Sequence, residues 1–170
     1  MKKALLIASC FLLIAFASNA QRYAVIDSKY ILEKVPQYKE AQEKLDQFSM
    51  QWQQEIDQKQ TAVDKMLKDF DAEQVMLSDE LKKKREDEIF NKEKELRDLQ
   101  RKRFGFEGDL FKKRQELIKP IQDRVYNAVQ KLAVDKQYDF ILDKSEGITV
   151  IFADPKLDRS DDVLRNLGVK

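Results

Sequence analysis

The residue types that most often carry enzymatic chemistry are scarce in this sequence. It contains no histidine and a single cysteine, Cys10. Histidine is the usual general base near neutral pH and the commonest metal ligand, and a cysteine thiolate is a frequent nucleophile or zinc ligand. Cys10 lies within an apolar N-terminal run that we expect to be removed, so the mature chain would have neither residue type. Composition therefore excludes His-based triads, disulfides and most zinc sites.

Carboxylates and glycines offer the remaining routes to catalysis or cofactor binding. Asp27 and Asp143 each end a predicted strand and could form a catalytic acid pair. Capping or turn roles explain both more simply, and nothing else in the sequence builds a pocket around them. The four scattered glycines form neither a phosphate-binding loop nor a dinucleotide fingerprint. We therefore expect no enzymatic activity, no catalytic residue, no metal and no cofactor.

The charge of the chain is nearly balanced. The full sequence has 32 basic and 31 acidic residues, and removal of Lys2 and Lys3 with the N-terminal segment leaves 30 against 31. This balance argues against nucleic acid as a partner, because such binding usually needs a basic excess. The run Lys82–Arg85 could attract acidic partners or a membrane, but the acidic residues Glu86–Glu88 follow directly, which favours a solvated helix face.

The N-terminus has the pattern of a secretory signal peptide. Lys2 and Lys3 precede the uncharged run Ala4–Ala17, and small residues then precede a cleavage site after Ala20. The run of about 14 residues is shorter than the ~20 that span a bilayer, so we expect cleavage and a periplasmic location. Lipidation at Cys10 stays open as an alternative, although the apolar run continues past it.

The middle of the chain predicts long helices. No glycine or proline occurs from Gln37 to Phe104. Large apolar residues follow at steps of three, four or seven, which keeps one helix face apolar. This first stripe comprises Leu45, Phe48, Trp52, Ile56, Val63, Leu67, Phe70 and Leu77.

A second helical stripe begins after a predicted reversal at Ser78. Ser78 can cap a new helix, and Asp79 and Glu80 would then lie at the positive end of its dipole. Gly105 and Gly108 should weaken this helix, and Pro120 should kink it. One uninterrupted helix through residue 78 is the alternative. The second stripe comprises Leu81, Ile89, Leu96, Leu99, Phe106, Leu110, Leu117, Ile121, Val125, Val129 and Leu132.

The two ends of the chain predict strands. Tyr23–Asp27 lies near the start, and Tyr138–Asp143 and Ile148–Phe152 flank a predicted hairpin turn at 144–147. Two strands alone are marginal in water, so the first segment is their natural third strand. If both ends share one sheet, the helical middle must run out and return.

These elements predict an α+β fold that is mostly helical. A long antiparallel coiled-coil hairpin (37–137, tip near 77–80) would project from a small β body (21–36 and 138–170), after a signal peptide (1–20). Short helices should cover 29–34 and 161–166. A sheet this small cannot bury a self-sufficient core. We therefore expect several copies of the chain to build the β body together by oligomerisation. The predicted oligomerisation residues are Val25, Ile26, Phe140, Ile141, Leu142, Val150 and Ile151.

The order of these segments resembles the Skp/OmpH family of periplasmic chaperones. The matching segments are Tyr23–Ser28 with Tyr30–Leu32, Lys102–Gly108, Lys119–Ala128, Tyr138–Asp143 and Asp161–Leu164. The resemblance implies a homotrimer with a β-barrel body, whose helical hairpins hold unfolded outer-membrane proteins without ATP. Two features depart from the family. Gln137 stands where a glycine often precedes the Tyr-Asp pair, and the near-neutral charge leaves contact with membrane or lipopolysaccharide open.

Apolar residues outside the main stripes are candidates for contact with an unfolded client. Flexible methionine and aromatic side chains adapt to many sequences, although these residues could instead pack against the partner arm or another subunit. The candidates are Met66, Met76, Phe90, Phe104, Phe111 and Ile118. Trp52 fits the core of the helix pair better.

The sequence thus favours an ATP-independent holdase that keeps unfolded outer-membrane proteins from aggregating. A structural coiled-coil spacer or adaptor of the cell envelope would carry the same stripes and charges, and it is the alternative.

Overall fold

The structure, a computed structural model, describes residues 21–145 and 150–169, which are mostly helical with a small two-stranded sheet. The predicted signal peptide 1–20, with Cys10 and the cleavage site, lies outside these residues. The elements in chain order are β1 (Tyr23–Ile26), α1 (Ser28–Lys34), α2 (Pro36–Glu73), α3 (Asp79–Phe104), α4 (Asp109–Leu117), α5 (Lys119–Lys136), β2 (Phe140–Asp143), a 3-10 turn (Pro155–Leu157) and α6 (Ser160–Asn166).

The chain divides into two compact units. The terminal unit consists of residues up to Lys34 together with those from Arg124 onward. The helical unit is Val35–Asp123.

The sheet of the terminal unit joins the two ends of the chain, as predicted. Strands β1 and β2 pair in parallel, from Tyr23 opposite Phe140 to Ile26 opposite Asp143. On the other edge of β1, the Arg159 N–H donates to the Val25 carbonyl at 2.8 Å. Segments from near both termini therefore depend on each other for their backbone hydrogen bonds.

The core of the terminal unit lies beneath this sheet. Ile31 and Val163 are fully buried there, at 0% exposure. They bring α1 and α6 together with one face of α5, which explains why two such short helices are ordered: their stability comes from packing rather than from length. The buried cluster comprises Ile26, Ile31, Val125, Ala128, Leu132, Val163 and Leu164.

The predicted strand at 148–152 is wrong for the residues described. Residues 150–152 have no regular structure, while 148 and 149 lie outside the described ranges. A strand needs a neighbour to accept and donate its backbone hydrogen bonds, and β2, the expected hairpin partner, pairs only with β1 in the described residues. The apolar pattern of 150–152 is therefore not enough to make a strand.

In the helical unit, α2 and α3 pack side by side and antiparallel. Glu55 meets Arg103, whereas Phe70, later in α2, lies near Arg85, earlier in α3. Helix α2 ends at Glu73, four residues before the expected end, and the chain turns before Ser78. As predicted, the Ser78 side chain caps α3 by accepting from the Leu81 N–H at 3.4 Å.

The second stripe is broken more sharply than expected. Helix α3 ends at Phe104 and α4 begins at Asp109, so the two glycines end the helix instead of merely weakening it. A Cβ atom at Gly105 would lie 2.3 Å from the Arg101 carbonyl oxygen. The backbone turns back on itself too closely for a side chain at this position.

Candidate binding surfaces

The sheet exposes an apolar face. Side chains alternate along a strand, so Ile26 points into the core while Tyr23, Phe140 and Leu142 share the opposite face. These three side chains are 45%, 43% and 40% exposed. The Tyr23 and Phe140 rings stack with their centroids 5.7 Å apart. We call Tyr23, Phe140 and Leu142, with the nearby sequence Ile151–Phe152, the sheet surface.

The predicted oligomerisation residues separate into two groups. Val25 and Ile26 are only 2% and 6% exposed, and Ile141 packs against the core. These three are therefore interior residues of the single chain. Ile26 and Ile141 face the core, whereas Val25 lies on the face of Tyr23 and Leu142 and is bridged to Asp158. Phe140, Leu142 and Ile151 are exposed, and Val150 is half-buried. Sequence reasoning missed Tyr23 and Phe152, which strand alternation and a neighbouring apolar residue could have indicated.

Asp27 and Asp143 have the capping and turn roles that the sequence suggested. Asp27 Oδ1 accepts from the Tyr30 N–H at 2.9 Å, at the start of α1. Asp143 Oδ1 accepts from the N–H groups of Ser28 and Ser145, at 3.1 and 2.9 Å. Partial burial raises the pKa of Asp143, but the hydrogen bonds from Ser28 and Ser145 outweigh it, and the pKa lies below its ordinary value of 3.8.

Asp158 is a third carboxylate with a structural role in the terminal unit. Its Oδ1 accepts from the Ser160 N–H at 2.9 Å and the Ser160 hydroxyl at 2.7 Å. Its Oδ2 accepts from Lys144 Nζ at 2.7 Å. Burial raises the pKa of Asp158, but the hydrogen bonds from Lys144 and Ser160 lower it by more. The pKa therefore lies below its ordinary value of 3.8. Asp158 therefore links Lys144, directly after β2, to Ser160 at the start of α6.

The exposed candidates for client contact lie in the helical unit. Met76 is 80% exposed, Phe90 59% and Phe111 47%. Met66 is half-buried and lines a recess of about 100 Å³ together with Phe70 and Ile89. These four side chains remain at least partly accessible to a partner.

Two candidates and one stripe residue lie elsewhere than expected. Ile118 is buried at 4% exposure, so the structure corrects its placement on a client-facing surface: the chain folds around it. Phe104 packs against the cluster formed by Ile56, Val63 and Leu96. Phe106, predicted to lie in the core stripe, is 97% exposed. Phe104 is therefore packed and Phe106 exposed, the opposite of what the stripe predicted, because the helical periodicity stops at Phe104.

Arg103 connects α2, α3 and α4 next to this break. Its Nη1 donates to Asp109 at 2.7 Å and its Nη2 donates to Glu55 at 3.0 Å. The guanidinium also lies 5.1 Å from the ring centroid of Trp52, within range of a cation–π contact. Desolvation lowers the pKa of Arg103, but Asp109 and Glu55 raise it more, and the net shift is upward. Trp52 is half-buried and contacts Arg103, consistent with the expected role inside the helix pair.

The outer face of α3 is charged and solvated. Arg85 pairs with Glu88 at 3.1 Å, and Lys92 pairs with Glu95 at 2.8 Å, all with exposed side chains. Such pairs contribute little energy individually, about 0.5 kcal/mol or less. The run Lys82–Arg85 thus belongs to an ordinary solvated helix face.

Metal ligands are not clustered in the described part of the chain. Among residues 21–145 and 150–169, no group of three or more His, Cys, Asp or Glu side chains is arranged to hold a metal ion. None of the described helices is both long and apolar enough to cross a bilayer.

Comparison with known proteins identifies the family. The family described as "Outer membrane protein (OmpH-like)" matches residues 22–167, nearly the whole described chain. The fold resembles the crystal structure of an OmpH-like protein from Caulobacter crescentus, a candidate outer membrane chaperone, with a TM-score of 0.66 and 15% sequence identity over 89% of this chain and 86% of that one. No protein with a curated description matches the sequence significantly. The chain belongs to the OmpH-like family.

Proposed function

We propose that this protein is an ATP-independent periplasmic holdase that binds unfolded outer-membrane proteins and keeps them from aggregating. Membership of the OmpH-like family and the likeness to the Caulobacter fold support a chaperone role. The observation that carries the finer proposal is the set of large apolar side chains left exposed on the helical unit. Met76, Phe90, Phe106 and Phe111 are 47% exposed or more.

Scattered exposed apolar residues suit a holdase better than an adaptor for one folded partner. A folded partner usually needs one contiguous hydrophobic patch with a well-packed centre. An unfolded chain offers many weakly apolar segments, and several weak contacts together give avidity while each one releases quickly. The mechanism needs no bond to be made or broken, so the protein acts on its clients without enzymatic catalysis.

The assembly that we propose is a homotrimer joined through the sheet surface. Tyr23, Phe140, Leu142, Ile151 and Phe152 expose more apolar area than a monomeric sheet of two short strands can shield. Pairing between copies would cover this face and complete the β body. The α2–α3 pairs of the copies would then act as hairpin arms around one client.

Export and location follow the same proposal. We infer cleavage after Ala20 and a periplasmic mature protein, where unfolded outer-membrane proteins pass in transit. The alternative, an envelope spacer, is favoured by the exposed ion pairs along α3, which are typical of solvated coiled coils.

The two functions differ in an aggregation assay. A urea-unfolded outer-membrane β-barrel is diluted into buffer without nucleotide, and light scattering is followed with and without the purified protein. We expect suppression by the wild type, and a clear loss of suppression when Met76, Phe90 and Phe111 are together replaced by serine.

The matched control carries serine at Tyr126 and Val134, which are 61% and 76% exposed on α5 in the terminal unit. It loses apolar surface without touching the helical unit, and it should suppress aggregation like the wild type. A wild-type protein that leaves scattering unchanged would refute the holdase and favour the spacer.

A further inference from the structure

The turn between α3 and α4 presents one aromatic side chain almost completely to solvent. Phe106 is 97% exposed, more than any other large apolar side chain in the described residues. A single exposed apolar residue is ordinary on a protein surface. What distinguishes Phe106 is the amount of structure that holds its turn in place.

The backbone of the turn is closely packed. The Gly105 N–H donates to the Arg101 carbonyl at 2.8 Å, and the Gly108 N–H donates to the Gly105 carbonyl at 2.9 Å. A Cβ atom at Gly108 would lie 2.8 Å from the Lys102 carbonyl oxygen, so both glycines are needed for the close approach. Glu107 adopts a positive φ of 54°, an unfavourable conformation for a non-glycine residue.

Arg103 fastens both ends of the turn to the neighbouring helix. It precedes the turn, bonds Asp109 just after it at 2.7 Å, and bonds Glu55 on α2 at 3.0 Å. Phe104, one residue before the turn, is packed in the cluster with Ile56 and Leu96. The backbone that carries Phe106 is therefore preorganised, so binding through this residue would lose little backbone conformational entropy.

The charges near the turn select the kind of partner. Lys102 and Lys112 are exposed on either side of it. Arg101 and Arg103 contribute little to this field, because Arg101 pairs with Asp98 at 3.9 Å and Arg103 with Glu55 and Asp109. Glu107 is the one acidic residue between the two glycines. The two lysines therefore exceed Glu107 by one positive charge around an apolar centre.

We propose that Phe106 is a preformed anchor for client segments in which an aromatic or aliphatic side chain lies next to carboxylates. Arg103 is the positioning residue of this anchor. The proposal rests on the holdase function and names the class of client segment that this part of the arm prefers. Phe106 meets the apolar side chain, and Lys102 and Lys112 attract the flanking acids.

The test measures binding of a fluorescently labelled, urea-unfolded outer-membrane β-barrel by anisotropy. Phe106→Ala should weaken binding by about three- to tenfold, as expected when one desolvated aromatic contact is removed. Phe106→Leu keeps an apolar side chain and should stay within about twofold of wild type. Val134→Ala is the control, because it removes exposed apolar area from the terminal unit only.

A second arm tests the charge selection. The double variant Lys102→Glu and Lys112→Glu should bind more weakly, and the difference should shrink at high salt. The same probe with its carboxylates converted to neutral amides should bind wild type and double variant equally.

The outcomes separate this anchor from the general function. If wild type does not bind the unfolded probe, the holdase itself fails. If wild type binds but Phe106→Ala binds equally well, the holdase stands and the anchor is refuted. If Phe106→Ala binds the untreated probe more weakly but the Lys102→Glu, Lys112→Glu variant binds it as tightly as wild type, the preference for acidic segments is refuted.

Discussion

Three aspartates of the terminal unit bind residues from the opposite end of the chain. Asp139 accepts from the Arg22 N–H at 2.7 Å, Asp143 from the Ser28 N–H at 3.1 Å, and Asp161 from the Tyr30 hydroxyl at 3.2 Å. Hydrogen bonds to an ionised acceptor are stronger than neutral ones, about 1.5–3 kcal/mol where they are shielded from water. Among these carboxylates, Asp143 has a lowered pKa, which couples the stability of the terminal unit to pH.

Replacement of Asp143 by asparagine should destabilise the terminal unit in a pH-dependent way. The folded-state pKa of Asp143 is below its ordinary value of 3.8, so its ionised form stabilises the fold above that pH. The contribution is lost as pH falls through the folded-state pKa. We therefore expect Asp143→Asn to be less stable than wild type at pH 7, and the difference to narrow toward pH 3.

Denaturant unfolding followed by circular dichroism at pH 7, 5 and 3 measures this effect. Asp135→Asn is the control, since Asp135 forms an exposed pair with Lys131 on the same unit. That variant should differ little from wild type at any of the three pH values. A gap for Asp143→Asn that stays constant with pH would contradict the assignment.

Residue roles were predictable from sequence where local rules decide them. Ser78 as a helix cap and Asp27 as a capping acid follow from short-range hydrogen bonding. The exchange between Phe104 and Phe106 was not predictable, because both fit a helical stripe until the backbone leaves the helix at Gly105. The burial of Ile118 was likewise not evident from its position outside the stripe.

At the scale of elements, the end of α5 explains an unusual residue. Gln137 has a φ of 54°, in the left-handed region. The Tyr138 N–H donates to the Ala133 carbonyl at 2.9 Å, and the Gln137 N–H donates to the Val134 carbonyl at 3.1 Å. This pattern is a Schellman cap, whose left-handed position is usually glycine. A glycine, which the family resemblance led us to expect at this position, would adopt this conformation without strain.

Gln137→Gly should raise the free energy of unfolding by roughly 0.5–1 kcal/mol, because glycine adopts this conformation without steric strain. Gln130→Gly, in the middle of α5, should lower it by about 1 kcal/mol, since glycine is a poor helix former. Thermal and denaturant unfolding of the two variants should therefore move in opposite directions. A loss of stability in both would show that the Gln137 side chain matters more than its backbone.

Elements were predicted best where the sequence has a long, uninterrupted pattern. The helices flanking Ser78 and the strands β1 and β2 match the expected segments closely. The segment 150–152 was misjudged, because an apolar run becomes a strand only when it pairs with a neighbour, and its expected partner β2 pairs only with β1 in the described residues. The helix was expected to weaken at Gly105 and Gly108 and to kink at Pro120, whereas it ends at Phe104 and is interrupted again at Ile118.

At the scale of the whole molecule, the exposed sheet surface predicts self-association. Leu142 is 40% exposed beside the stacked Tyr23 and Phe140 rings. Leu142→Asp places a charge in this apolar face, and burying an unpaired charge between copies costs several kcal/mol. We expect the wild type to sediment as the proposed trimer and the variant to sediment as a monomer at the same concentration.

Val134→Asp is the matched control for this experiment, because Val134 is 76% exposed on α5 and outside the sheet surface. It should sediment like the wild type. Circular dichroism should show the same helix content for all three proteins. A trimeric Leu142→Asp protein would place the interface elsewhere.

The parallel pairing of β1 with β2 has a consequence for how the polypeptide is made. Arg22 and Asp139, joined beside this sheet, are 117 residues apart. At about 5–20 residues per second, a ribosome needs on the order of 6–25 seconds between the two. During that interval the first strand waits without its neighbour, and a chain that ends early never receives one. Because of this topology, only polypeptides translated past Asp143 can form the complete β1–β2 pair.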